Sequence, residues 1–115
     1  MKRATLIALV IVLGGCGGSP RPPSDGAVSR TAPVAYGPIT RACLSSGREG
    51  RSPRLCGCIQ AAANQTLSRA QQRRSVAFYK DPHLAQQIRQ SDRRTDRRFW
   101  EAYARYGERA EELCG

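Results

Sequence analysis

Cysteine is the residue whose type and spacing most invite a chemical reading. The stretch Arg54-Leu-Cys-Gly-Cys-Ile-Gln60 sets two thiols on either side of one glycine, Cys43 and Cys114 make a set of four, and Cys16 is the fifth cysteine of the chain. A C-x-C pair could supply half of a tetrahedral zinc site, act as a redox couple, or send each sulfur to a partner elsewhere. A reducing compartment would favour zinc for four such thiols, whereas an oxidising one favours disulfides. The compartment therefore has to be read first.

The chain opens Met1-Lys-Arg3, runs apolar from Ala4 to Leu13 and then turns to Gly, Ser and Pro. That is the basic, apolar and small-residue order of a secretory signal, and the run is shorter than the roughly 20 apolar residues needed to span a bilayer. Leu13-Gly-Gly-Cys16 resembles the bacterial lipobox, in which small residues precede a cysteine that is lipidated on sulfur and becomes the mature N terminus. The expectation is a lipoprotein signal peptide over residues 1–15 and a lipid on Cys16. The plainer alternative is an ordinary secretory signal with Cys16 left spare. Parity favours the lipid, because five cysteines less Cys16 leave an even four in an exported domain. Gly17 rather than Asp follows Cys16, and the lipoprotein resemblance then favours the periplasmic face of the outer membrane.

In that compartment the expectation is two disulfides and no metal. If Cys56 and Cys58 lie on a helix, their sulfurs point about 200° apart around its axis and cannot bridge each other. Two of the three pairings of four cysteines survive. Cys56 lies nearer the helix's apolar face and Cys114 just beyond the last apolar stripe, so Cys56–Cys114 with Cys43–Cys58 is the preferred pairing. A thiol-exchange protein using Cys56 and Cys58 is the rival reading; it needs an exposed thiolate of lowered pKa.

The elements that must position these sulfurs read as helices. Residues 16–38, after the signal, are rich in Gly, Pro and Ser and nearly empty of large apolar residues, which predicts a flexible tether. Pro20-Arg-Pro-Pro23 within it reads as tether sequence rather than a polyproline ligand. Ser52-Pro53 predicts a capped helix from Pro53 to Leu67, with Leu55, Ile59, Ala62, Ala63 and Thr66 on one face. Ser68-Arg-Ala-Gln71 is a capping box opening a second helix with Val76, Phe78 and Tyr79, ended by Asp81-Pro82. A short third helix would carry Leu84, Ala85 and Ile88 and close near Gln90-Ser91. Phe99, Tyr103, Tyr106, Ala110 and Leu113, with Trp100 beside them, form the clearest helical stripe, read as core. Residues 39–115 are thus expected to be one all-α domain, a small bundle of three to four helices stapled by two disulfides. A domain this small buries only about 60% of the surface its unfolded chain exposes, so covalent staples are often needed.

The sequence carries 19 Lys plus Arg against 9 Asp plus Glu, a net charge of +10 that falls to +8 if Lys2 and Arg3 leave with the signal. The dense run holds Arg89, Arg93, Arg94, Arg97 and Arg98, with Arg69, Arg73 and Arg74 upstream. These eight are the anion-binding candidates. Export removes most accessible nucleic acid and leaves anionic lipid, other envelope polyanions or an acidic protein as partners. A solvated helix face is the plainer account, with Arg97–Glu101 and Glu101–Arg105 pairing four apart. Arg93 and Arg94 near a helix start oppose the macrodipole, which a bound anion could offset. The one histidine, His83, reads as exposed or capping. No G-x-S-x-G, H-E-x-x-H or Gly-rich phosphate loop is present, so neither catalytic residue nor cofactor is assigned.

Arg54 to Gln60, Leu67-Ser68, Gln72 to Arg74, Phe78 to Gln90, Ser91-Asp92, Phe99-Trp100 and Cys114 together resemble a group of small exported bacterial proteins of unknown function, some labelled arginine transporters. The likeness covers about residues 42–114. It implies an exported helical domain and, through the label, an accessory subunit in solute transport. The reading that follows is an envelope lipoprotein acting by binding rather than catalysis.

Overall fold

The computed structural model describes residues 28–115. The expected signal peptide, Cys16 and the tether as far as residue 27, including Pro20 to Pro23, lie outside the described residues. Five helices follow in order: α1 (Pro38–Ser45), α2 (Pro53–Thr66), α3 (Arg69–Lys80), α4 (His83–Arg89) and α5 (Arg94–Cys114). The all-α architecture and the two disulfides are as expected. There is one helix more than the upper expectation of four, and the additional one is α1.

Local chemistry starts most of these helices. The Ser52 side chain accepts from the Leu55 amide with Pro53 at the first position, and Ser68 and Gln71 complete a reciprocal capping box. Asp81 Oδ1 accepts from the His83 amide at 3.1 Å, so the dipeptide that stops α3 also starts α4. α1 is different: its N-cap is Gly37, which has no side chain to cap with. The cap comes from α2, where Gln60 Oε1 accepts from the amides of Ile39 at 2.8 Å and Thr40 at 3.1 Å.

α2 is the central element, with α1 on one side and α5 on the other. Ile39, Ala62, Ala63, Leu67, Ala102 and Tyr106 form the buried cluster between them. Along α3 and α5 an aromatic layer continues the core: Phe78 meets Phe99 and Tyr103 edge-on at 5.9 and 5.0 Å between centroids. Such pairs add about 0.5–1.5 kcal/mol each beyond the area they bury.

The disulfides are Cys43–Cys56 and Cys58–Cys114, with Cα atoms 5.6 and 5.8 Å apart. The preferred pairing, Cys56–Cys114 with Cys43–Cys58, is therefore overturned, although the opposed directions of the two sulfurs hold. The reason is α1. It occupies the side of α2 that carries Cys56 and, one turn on, Gln60. Cys58 lies on the opposite side with Gln65, two turns on, which accepts from Arg109 of α5 at 2.6 Å.

The expected tether boundary also shifts, since residues 28–37 form a strap on α2. The Ala35 amide donates to the Gly57 carbonyl at 3.0 Å, Arg54 Nη1 donates to the carbonyls of Ser29 and Arg30, and Val28 is buried. This explains the glycine between the two cysteines: a Cβ on Gly57 would overlap the Val34 Cγ1 methyl and come within 3.2 Å of the Ala35 carbonyl oxygen. Gly57→Ala gains up to about 1 kcal/mol of helix propensity yet lifts the strap. The expected result is several-fold faster tryptic cleavage after Arg30 with little loss of thermal stability; equal cleavage rates would refute the contact.

Candidate functional site

The eight predicted arginines do not form one patch. Arg74 donates through Nη2 to Asp96 Oδ1 and lies over the Phe99 ring, its guanidinium carbon 4.5 Å from the centroid. Arg93 Nε is 3.8 Å from Asp96 Oδ2, and Arg89 sits 6.0 Å from the Trp100 centroid. These three have partners within the protein. Arg69, Arg73, Arg94, Arg97 and Arg98 are exposed and form no ion pair among the described residues. Nor do Arg97–Glu101 and Glu101–Arg105 pair; on an outer helix face such contacts are worth little against water.

Asp96, buried in the first turn of α5, is the hub that the arginine run concealed. Ser91 Oγ donates to its Oδ2 at 2.6 Å. That bond first, and the bond from Arg74 second, hold the carboxyl below the usual carboxylate range. Its charge also offsets Arg93 and Arg94 at the positive end of the helix dipole, the role the sequence reading gave to a bound anion. The folded-state pKa is depressed, so the stabilisation is present above the ordinary carboxylate pKa, about 3.9, and is lost as pH falls through the folded value. Asp96→Asn is expected to be less stable than the parent at pH 7. The gap in urea midpoint should close once the parent's carboxylate is protonated, and a gap independent of pH would be the wrong result.

The free cations divide between two surfaces. Arg94, Arg97 and Arg98 stand on α5, where Arg98 with Arg74 and Phe99 edges a shallow hollow of about 280 Å³ against α3. Arg69 and Arg73, one turn apart on α3, face the α1 side instead. There two hollows meet at Pro38. The larger, about 690 Å³, runs between Arg41, Ser45 and Ser46 of α1 and its edge and Val76, Tyr79 and Lys80 of α3. The smaller, about 390 Å³, is bounded by Tyr36, Asn64, Arg69, Gln72 and Arg73 over the Gln60 side chain. No Asp or Glu lines either hollow. Arg48 stacks on Tyr79 at 4.8 Å and donates to the Phe78 carbonyl near the α3 end.

The α1–α3 groove is therefore lined by Arg41, Arg69, Arg73 and Lys80. Sequence reasoning named the middle two. Positions 69, 73 and 80 share one helix face by their spacing, a signal open to reading, whereas Arg41 counts only once α1 is known. Burial pushes the phenols of Tyr79, Tyr103 and Tyr106 above their ordinary pKa, which keeps these rings neutral members of the core. His83 is exposed at the start of α4, as expected. Cys56 and Cys58 are fully buried and bonded to different partners, so the C-x-C does not form an internal dithiol couple.

Among the described residues, no group of three or more His, Cys, Asp and Glu lies together to hold a metal, and no helix is long and apolar enough to cross a membrane. Compared with protein-family models, curated proteins and solved structures, the chain matches none.

Proposed function

We propose that this chain is an envelope lipoprotein, exported by residues 1–15 and anchored through lipid on Cys16, whose stapled helical domain binds anionic components of the envelope along the α1–α3 groove. The observation that carries the reading is a groove edged by Arg41, Arg69, Arg73 and Lys80 with no carboxylate in its lining. Unneutralised cations around a concave surface concentrate the field and attract anions. Two disulfides within one small domain support export, because such bonds persist in oxidising compartments. Gly17 after the anchor cysteine supports the outer membrane, and the resemblance to small exported bacterial proteins points the same way.

The test is a titration of the full chain with polyphosphate at rising salt. Affinity should fall as salt screens the charges. The Arg41→Gln/Arg73→Gln/Lys80→Gln variant should bind about tenfold or more weakly than the parent. The matched α5 variant, Arg94→Gln/Arg97→Gln/Arg98→Gln, should lose less. Equal or greater loss from the α5 variant would remove the groove as the site.

A further inference from the structure

The smaller hollow is more specific than a charged surface, and its specificity follows from the direction of the buried amides beneath it. Gln60 Oε1 faces the two α1 amides, which fixes the flip of that side chain. Its Nε2 must then donate, and it does so to Asn64 Oδ1 at 2.9 Å and Gln72 Oε1 at 2.8 Å. Gln72 Nε2 in turn donates to Asn64 Oδ1 and to the Leu67 carbonyl. Both hydrogens of Gln60 and of Gln72 are thus committed, and the Asn64 oxygen is doubly used. The Asn64 amide nitrogen is left without a partner among the described residues, and Asn64 is exposed in the wall of the hollow. With the guanidinium groups of Arg69 and Arg73, the wall offers donors for which the protein supplies no acceptor.

Opposite this donor set stands Tyr36, 73% exposed and the most exposed large hydrophobic side chain of the described residues. Arg41 lies 5.7 Å from its ring centroid, and Pro38 continues the apolar wall. A volume of about 390 Å³ falls within the range of small-molecule pockets, about 300–1,000 Å³. The site asks for a ligand with an anionic group at one end and a ring with an apolar face at the other.

From this donor-only wall facing an open aromatic ring, we infer that the hollow between Tyr36, Asn64, Arg69 and Arg73 binds an anionic sugar, a saccharide unit bearing a phosphate or carboxylate. The inference rests on the anion-binding reading of the groove and narrows it to a ligand class. Arg69 and Arg73 take the anionic oxygens, the Asn64 amide donates beside them, and the sugar ring lies on Tyr36.

The test is calorimetric titration of the full, oxidised chain with glucose 1-phosphate, glucuronate, glucose and inorganic phosphate. At least one anionic sugar should bind about tenfold or more tightly than both glucose and inorganic phosphate. Tyr36→Ala should weaken the anionic sugar and leave inorganic phosphate unchanged. Asn64→Asp is the sharper variant: an Asp oxygen still accepts from Gln60 and Gln72, so the fold keeps its network while the outward donor becomes a negative acceptor. Binding should fall at least tenfold, with Arg94→Gln as a control that keeps parent affinity. Inorganic phosphate binding as well as the sugars, or Asn64→Asp binding like the parent, would overturn the inference. Binding to polyphosphate or to phosphatidylglycerol vesicles with no response to either anionic sugar would also overturn it, while leaving the broader anion-binding reading standing.

Discussion

Replacing Cys58 and Cys114 together by alanine is expected to destabilise the protein by about 4 kcal/mol, the chain-entropy value for a loop of 56 residues. Total stability for a domain of this size is about 5–15 kcal/mol, so the thermal midpoint should fall by an order of 20 °C. The loss concentrates at one place. The last turn of α5 carries Glu111 and Glu112 and no basic residue, which sets like charge against the negative end of the helix dipole. The bond from Cys114 to α2 holds an end that would otherwise fray. Replacing Cys43 and Cys56 removes a bridge that closes a loop of only 13 residues and should lower stability by about 3 kcal/mol. That second variant also checks the pairing. With Cys58 bonded to Cys114 the domain's own cysteines expose no free thiol on denaturation, Cys16 being counted separately, whereas the alternative pairing would leave both Cys58 and Cys114 unpaired. Two titratable thiols there, or a Cys58→Ala/Cys114→Ala variant melting within a few degrees of the parent, would contradict the structure.

The parts of the fold legible in the sequence are those whose signals are local. α2, α3 and α4 announce themselves through Ser52-Pro53, Ser68 with Gln71, and Asp81-Pro82, and α5 through an apolar stripe long enough to outweigh its charges. α1 has Pro38 at its first position but no capping side chain before it, because the group that caps it arrives from 21 residues away. Missing α1 misassigned the cysteines, since nothing local says which neighbour lies on which side of α2. The strap was hidden for a related reason: Val34 and Ala35 look like tether until Gly57 is seen as the place where they touch. At the site, closeness in sequence misled. The run from Arg89 to Arg98 contains its own neutralising centre in Asp96, while Arg41, Arg69, Arg73 and Lys80 are dispersed along the chain and meet only through the packing of α1 on α3.

Gln60→Leu is the substitution that tests how α1 is held. Gln60 is 1% exposed and makes four hydrogen bonds, two accepted from α1 and two donated to Asn64 and Gln72. Leucine matches its bulk and improves helix propensity, so burial and backbone preference favour the change by about 1–2 kcal/mol at most. Against that, the amides of Ile39 and Thr40, both residues buried, and Gln72 Oε1 lose their partner, and each buried unsatisfied group costs about 1–3 kcal/mol. The net expectation is about 3 kcal/mol of destabilisation in urea. Gly37 sharpens the argument, because a Cβ there would sit 2.7 Å from Gln60 Oε1, so the backbone approaches closely to make these bonds. Hydrogen exchange should locate the damage, with protection lost first over Ile39 to Cys43 while α5 keeps its own. Gln60→Glu separates the two halves of the interaction: it retains an acceptor for α1 and loses both donors. A Gln60→Leu protein within 1 kcal/mol of the parent, with α1 equally protected, would show that the Cys43–Cys56 bond alone docks the helix. If instead α1 loosens, one wall of the cationic groove loosens with it, and affinity for anions should fall in step with α1 protection rather than with global stability.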